Sequence, residues 1–360
     1  MRIKAAVVMG PKQRFVIKEL ELAEPRENEA LVKVVSCGVC HTDEAGRLGE
    51  YITPFPAVFG HEGAGIIEKT GAGVTGFAPG DHVLMSYSSC GACVNCLDGK
   101  PYYCTDSIKL CFGGRMNDGT TRLSLDGEPV SSYFGQSSFA THAVVHVNNL
   151  VKVDPSCDLS LMGPLACGFM TGAGSVINAL KPGIGSSLAV FGAGSVGLSA
   201  IMAASLCHCD PLIAVDIFDE RLEFAKKFGA THAINSGKVE NVFKEIKKIN
   251  GGVGVEFGFD TTGALEAMRT MIMSVRMAGS AAMVANVHKL SDPAMFGRRL
   301  IGVMMGEAVP QKFIPKLIRL HEAGCFPYDK LISFYSLDEI NEAFEDTHSG
   351  KAVKAVIMMP

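Results

Sequence analysis

The chain is short of charge and has no tryptophan. Only 19% of its 360 residues are Asp, Glu, Lys or Arg, against 48% hydrophobic. That ratio is too apolar for a disordered chain and is enough to build sizeable cores. There is no basic stripe either: net charge is -4 and the pI about 6.2, which argues against nucleic acid or anionic lipid as partners. The opening MRIKAAVVMG lacks the long apolar core and cleavage site of a secretory signal. The expectation is a cytoplasmic protein whose twelve cysteines are ligands, buried hydrophobes or free thiols rather than bridges. Residues 159–180 and 182–209 contain no charged side chain at all. A hydropathy scan would take them for membrane spans. Both are rich in Gly and Ser, so buried strand–turn–helix is the better reading, and no membrane is expected.

At roughly 100–200 residues per domain, the length predicts two domains. Residues 1–35 run in short apolar–polar stretches punctuated by Pro11, Pro25 and Asn28, a β-rich opening. Residues 36–60 read as irregular; short strands return over 63–83 and 139–153. Near residue 159 the pattern changes. Strands at 187–191, 212–215, 232–234, 255–259 and 281–284 alternate with helices at 195–207, 219–228, 239–249 and 265–275. Such regular alternation predicts an α/β fold with a doubly wound parallel sheet. Residues 311–323 and 338–347 look helical, and an apolar strand, 355–358, closes the chain.

Cys90, Cys93, Cys96 and Cys104 form a C-x2-C-x2-C-x7-C cluster. Thiolates bunched this tightly suit tetrahedral Zn²⁺. A site closed by four sulfurs leaves no place for substrate, so this zinc is expected to be structural. The stretch from Val190 to Gly197 holds a second signal. Gly192, Gly194 and Gly197 form GxGxxG between a predicted strand and a predicted helix, and Asp216 ends the next strand. Those parts fit a dinucleotide: a tight turn, close approach to a pyrophosphate, a helix N-terminus for the phosphates and a carboxylate for the ribose hydroxyls. The same carboxylate would repel a 2′-phosphate, which favours NAD over NADP.

GHEGAG at 60–65, the cysteine lobe, GxGxxG at 192–197 and CGFMTG at 167–172 occur together in one order and spacing. With them the chain resembles a zinc-dependent medium-chain alcohol dehydrogenase over essentially its whole length. The resemblance implies a GroES-like catalytic domain from residues 1–168 and 306–360, and a Rossmann NAD-binding domain from 169–305. It implies a second, catalytic Zn²⁺ held by Cys40, His61 and Cys167, and a homodimer or homotetramer. Thr42 would pass on the hydroxyl proton of an alcohol oxidised to an aldehyde. Asp43 would hold His61 by its other ring nitrogen, and Glu62 would lie beside the metal as a transient ligand. Thr171 would face the nicotinamide, with Val196 and Arg221 also placed at the cofactor, and His41 and Lys354 would contact the pyrophosphate. Liver-type members carry a proton-relaying His where this chain has Ala45. The benzyl (aryl) alcohol branch lacks that His too and resembles this chain again at FGQSSFA, 134–140; the glutathione-dependent formaldehyde branch shares that run. By family position Tyr133, Phe134 and Asn286 line the pocket, which suggests an aromatic or allylic substrate. Oxidation of a glutathione adduct of formaldehyde is the alternative, and a non-catalytic NAD- and zinc-binding protein a second one.

Overall fold

The computed structural model describes residues 1–284 and 295–360. The chain divides into two compact units. One comprises Met1–Cys167, Val309–Lys316 and Asp329–Pro360; the other comprises Gly168–Ala308 and Leu317–Tyr328.

The first unit is mostly antiparallel sheet. The central strand of its larger sheet is Glu29–Gly38, paired with Gly63–Thr70, His142–His146 and, at its far end, the C-terminal strand Lys354–Met358. In this register Gly38 lies opposite Val356 and Cys37 opposite Gly63. The chain end thus returns to the stretch that carries Cys40. Ala30, Val32 and Val34 point into a core with Ile67, Val83, Met85 and Val145. A smaller sheet, built on Arg2–Val8 and Val16–Leu22, packs Ile3, Ala5, Leu20 and Leu22 into a second core that also takes Leu31 and Val144 from the larger sheet.

The two sheets are tied by one buried ion pair. Glu29 opens the central strand; Arg122 precedes the strand Leu123–Leu125 of the smaller sheet. The guanidinium grips Glu29 with Nε at 2.9 Å and Nη2 at 2.6 Å, a bidentate geometry.

The second unit holds a six-stranded, all-parallel sheet in the order His232–Asn235, Leu212–Asp216, Leu188–Phe191, Val255–Asp260, Val275–Met283, Arg299–Gly302. Its central strands Leu188–Phe191 and Leu212–Asp216 are buried throughout, as the parallel doubly wound arrangement requires, whereas the edge strands His232–Asn235 and Arg299–Gly302 are largely exposed or half-buried. The helix Asp219–Lys227 starts on Asp219 and Glu220 and ends on Lys226 and Lys227, which complements its dipole. Among the described residues, no single helix is long and apolar enough to cross a membrane. The uncharged stretches are instead buried core: Leu165, Phe169, Met170, Val190 and Ile201 have essentially no exposed surface.

Two readings of local structure change. Residues 41–48, expected to be irregular, form a helix, His41–Leu48. Its cap is Cys40 with Asp43 at the third position, a capping box in which cysteine replaces the usual Ser or Thr, so the ordinary start signal is missing. The strand expected from Ala281 already begins at Val275, directly after the preceding helix.

Removing Arg122 should leave Glu29 charged and buried. Arg122→Ala is expected to cost about 3–5 kcal/mol, measured as a shift in the urea unfolding midpoint.

Candidate active site and metal centres

Cys40, His61, Glu62 and Cys167 converge in the first unit, with one ligand atom from each lying within 4.8 Å of the others. Cys40 caps the short helix, His61 and Glu62 lead into the strand Gly63–Thr70, and Cys167 ends the turn Gly163–Ala166. One side chain organises the first two. Asp43, fully buried, accepts the Cys40 backbone N–H through Oδ2 (3.2 Å) and the Gly60 N–H through Oδ1 (3.0 Å). The same Oδ1 lies 2.8 Å from His61 Nδ1. A carboxylate only accepts, so Nδ1 donates to Asp43 and Nε2 is the ring atom left to the cluster. Nε2 is buried and, among the described residues, has no hydrogen-bond partner of ordinary geometry.

The electrostatics suit a metal-ligand set. A hydrogen bond from Cys167 holds the Cys40 thiol well below the usual thiol range, and that bond together with burial holds Cys167 well above it. Burial pulls His61 down, but the charges of Asp43 and Cys40 outweigh it and keep the imidazole well above its ordinary value. A divalent ion would displace these protons. Soft sulfur, imidazole nitrogen and an orphaned ring atom fit Zn²⁺ in a three-ligand site with one place open.

Burial pushes the Glu62 carboxyl up to about 7, against the pull of Lys354. Lys354 was expected at a pyrophosphate. It is instead buried, with Nζ 2.6 Å from Glu62 Oε2 and donating to the Val39 carbonyl at 2.8 Å. The sheet register that brings the C-terminal strand beside Gly38 delivers it there, and two strong acceptors keep it.

Two more expectations move. Tyr133 is fully buried and does not face open space; its hydroxyl donates to the Thr42 carbonyl at 2.8 Å, and its ring packs on Phe59 and Phe112. Phe134 stacks on His61, with centroids 4.4 Å apart and 24° between planes. Both are therefore supports of ligand-bearing backbone and ring rather than walls of a pocket. Asn286 lies outside the described residues. Thr42 is half-buried, His41 exposed and Ala45 buried, all on the same short helix.

Sequence reasoning missed Gln136. Its amide nitrogen donates to the carbonyls of His61 (3.0 Å), Met85 (3.2 Å) and Ser86 (3.1 Å), and its oxygen accepts the Gly63 N–H (3.3 Å). It bolts the His61 turn to the neighbouring strand. The only signal was its place inside the FGQSSFA run.

Cys90, Cys93, Cys96 and Cys104 form the other cluster, also within 4.8 Å and all free thiols. Cys90 and Cys96 sulfurs stand 3.9 Å apart, close to the edge of about 3.8 Å that follows from tetrahedral geometry with Zn–S bonds of about 2.3 Å. The Cys93 and Ala92 N–H groups point at Cys90 Sγ (3.2 and 3.5 Å), and backbone hydrogen bonds near Thr105 and Cys96 bring the Cys93 thiol down to about 6. The set fits a closed zinc site.

In the second unit Gly192 turns at φ 90° between the strand Leu188–Phe191 and the helix Ser195–Leu206. A Cβ at Gly197 would fall 1.7 Å from the Gly192 carbonyl, so only glycine lets the helix sit this close. A Cβ at Gly194 meets nothing within 4 Å, which leaves open space above the helix N-terminus. Asp216 accepts N–H groups from Ala193 (2.6 Å), Ile217 (2.7 Å) and Phe218 (2.9 Å). A carboxylate has about four acceptor positions, so capacity remains for a ribose hydroxyl. The Arg221 guanidinium lies over the Phe218 ring at 4.7 Å, and Thr171 is half-buried on the helix Gly168–Gly174.

With this geometry in place, the comparisons are consistent across the whole chain. Residues 26–155 match the alcohol dehydrogenase GroES-like domain, and residues 195–322 the zinc-binding dehydrogenase domain. A geraniol dehydrogenase of Castellaniella defragrans is 40% identical over 99% of this chain and 97% of its own length. An S-(hydroxymethyl)glutathione dehydrogenase of Escherichia coli is 34% identical over 99% of this chain and all of its own. The crystal structure of benzyl alcohol dehydrogenase from Acinetobacter calcoaceticus superposes with a TM-score of 0.95 at 41% identity, covering both chains fully. The chain belongs to the zinc-dependent medium-chain alcohol dehydrogenase family and is an oxidoreductase of that class.

Asp43→Asn keeps the shape but turns an amide N–H₂ on one of three donors. It is expected to weaken metal retention at the Cys40 cluster by about 10–100-fold, read as the rate of metal release to a chelator.

Proposed function

We propose that this protein oxidises primary alcohols, aromatic or allylic ones in preference, to aldehydes with NAD⁺ as hydride acceptor, using one catalytic and one structural zinc per chain. The observation that carries this reading is the Cys40–His61–Cys167 set, with His61 and Cys167 buried and His61 Nε2 orphaned, in a chain that also presents an open glycine turn and Asp216. Zinc in that set supplies Lewis-acid polarisation of a substrate oxygen. The protein's own residues do the rest. Asp43 fixes the imidazole tautomer, and Thr42 takes the hydroxyl proton and passes it on. Ala45 offers no imidazole, so the proton leaves by water or through the ribose. The Gly192–Gly197 turn takes the pyrophosphate on free N–H groups, and Asp216 accepts from the ribose while opposing a 2′-phosphate. Reduced thiolate ligands suit a cytoplasmic setting, and a homodimer or homotetramer is the assembly we propose.

Preference for aromatic or allylic alcohols rests on the relatives named for geraniol and benzyl alcohol. The relative named for S-(hydroxymethyl)glutathione supports a second reading, oxidation of the glutathione adduct of formaldehyde. Comparing kcat/KM for benzyl alcohol, geraniol, ethanol and formaldehyde with glutathione separates them. Benzyl or allylic alcohols are expected to exceed ethanol by 1–3 kcal/mol of transition-state binding, on the order of 10–200-fold. NAD⁺ is expected to outperform NADP⁺, and Asp216→Ser to narrow that gap. Preference for ethanol, or formaldehyde turnover that requires glutathione, would reject the substrate assignment.

Metal analysis provides an independent check. Active protein should contain two zincs per chain. Cys93→Ala should lose one and lower Tm by roughly 5–10 °C. Cys167→Ala should lose the other with little change in Tm but no turnover. One zinc per fully active chain would overturn the two-site reading.

A further inference from the structure

Gly38 ends the central strand with ordinary extended backbone, so its lack of a side chain is not needed for its conformation. It is needed for space. A Cβ built there falls 2.0 Å from Glu62 Oε2, 3.1 Å from the carboxyl carbon and 3.1 Å from Lys354 Cε. The Glu62 backbone cannot retreat to relieve this. Its carbonyl accepts the Gly38 N–H at 3.0 Å, and a Cβ on Gly163 would lie 2.2 Å from that same oxygen, so the peptide is packed from the other side as well. The carboxylate has no outlet to solvent, because Glu62 is fully buried. The ligand atoms of Cys40, His61 and Cys167 all lie within 4.8 Å of a Glu62 oxygen, so a short displacement brings the carboxylate among them.

We propose that Gly38 is a positioning residue: the slot left by its missing side chain holds the Glu62 carboxylate against Lys354 and away from the metal, which leaves the fourth ligand position to substrate. The proposal rests on the reading of Cys40, His61 and Cys167 as a metal-ligand set. A methyl group at position 38 would fill the slot and drive the carboxylate into that fourth position. Two glycines from distant parts of the chain and a lysine from the C-terminal strand thus set whether the acid is a neighbour of the site or a member of it.

The test uses full-length protein with Co²⁺ in place of zinc, in wild type, Gly38→Ala, Glu62→Ala and the double variant. Each visible spectrum is read as the difference from a Cys167→Ser sample, so that only the Cys40 cluster contributes. In Gly38→Ala, entry of a carboxylate oxygen should alter the cobalt d–d bands, slow metal release to a chelator and lower kcat/KM by about 10–100-fold. In the Glu62→Ala background the same substitution should change none of these, because the group it displaces is gone. If Gly38→Ala alone fails to fold, the double variant should fold, as the only severe contact is with that carboxylate. An unchanged cobalt spectrum in Gly38→Ala would overturn the proposal. So would an equal loss of activity in both backgrounds, or a double variant that fails to fold while Glu62→Ala alone folds. Cobalt absent from the Cys40 cluster of the wild type would overturn the metal-ligand reading itself, a distinct result.

Discussion

The Asp43 carboxylate is the interaction on which the site depends. Burying a lone carboxylate is costly, and burial does push its pKa up; the His61 charge and hydrogen bond and the Gly60 N–H pull the other way. In return one side chain sets three things: the cap of the helix after Cys40, the turn at Gly60 and the tautomer of His61. Two ligands twenty-one positions apart are thereby given a common reference point. Phe134 stacked on the ring and Gln136 on the His61 carbonyl leave that imidazole little freedom. A rigid ligand set is what a metal site needs if its open position is to stay open.

The second constraint is topological. Glu29–Gly38 is flanked at its C-terminal end by the strand Gly63–Thr70 and by a strand at the very end of the chain. Glu62 immediately precedes one partner strand and Lys354 opens the other, so pairing the strands pairs the charges. A buried ion pair of this kind adds little net stability, but removing one partner leaves an uncompensated charge. Its contribution here is geometric: it fixes where the carboxylate sits relative to the sulfurs. Tyr133 belongs to the same frame, since its hydroxyl ties the Thr42 carbonyl to the aromatic cluster behind it.

Much of this was legible in the residues. Strand–helix alternation after residue 159 comes from short apolar runs separated by turn glycines, and it describes the parallel sheet that forms. The cysteine lobe and the glycine turn were legible because each is local: their chemistry lies within fifteen and six residues, and spacing is nearly geometry at that range. The helix at His41–Leu48 was not legible, because its cap is a cysteine and its interior contains Gly46. Lys354 and Tyr133 were placed by resemblance at a phosphate and a pocket wall. Their partners, Glu62 and the Thr42 carbonyl, lie far away in sequence.

By itself, then, the sequence determined the class of fold, the four-cysteine cluster and the glycine turn at 192–197, because short-range spacing and hydrophobic period encode those directly. The tertiary structure decided that Cys167 joins Cys40 and His61, that Gln136 and Phe134 hold the imidazole, and that Lys354 and Gly38 govern Glu62. These are contacts between strand ends and turns separated by tens to hundreds of residues. Sheet register alone creates such proximity, and no local pattern records it.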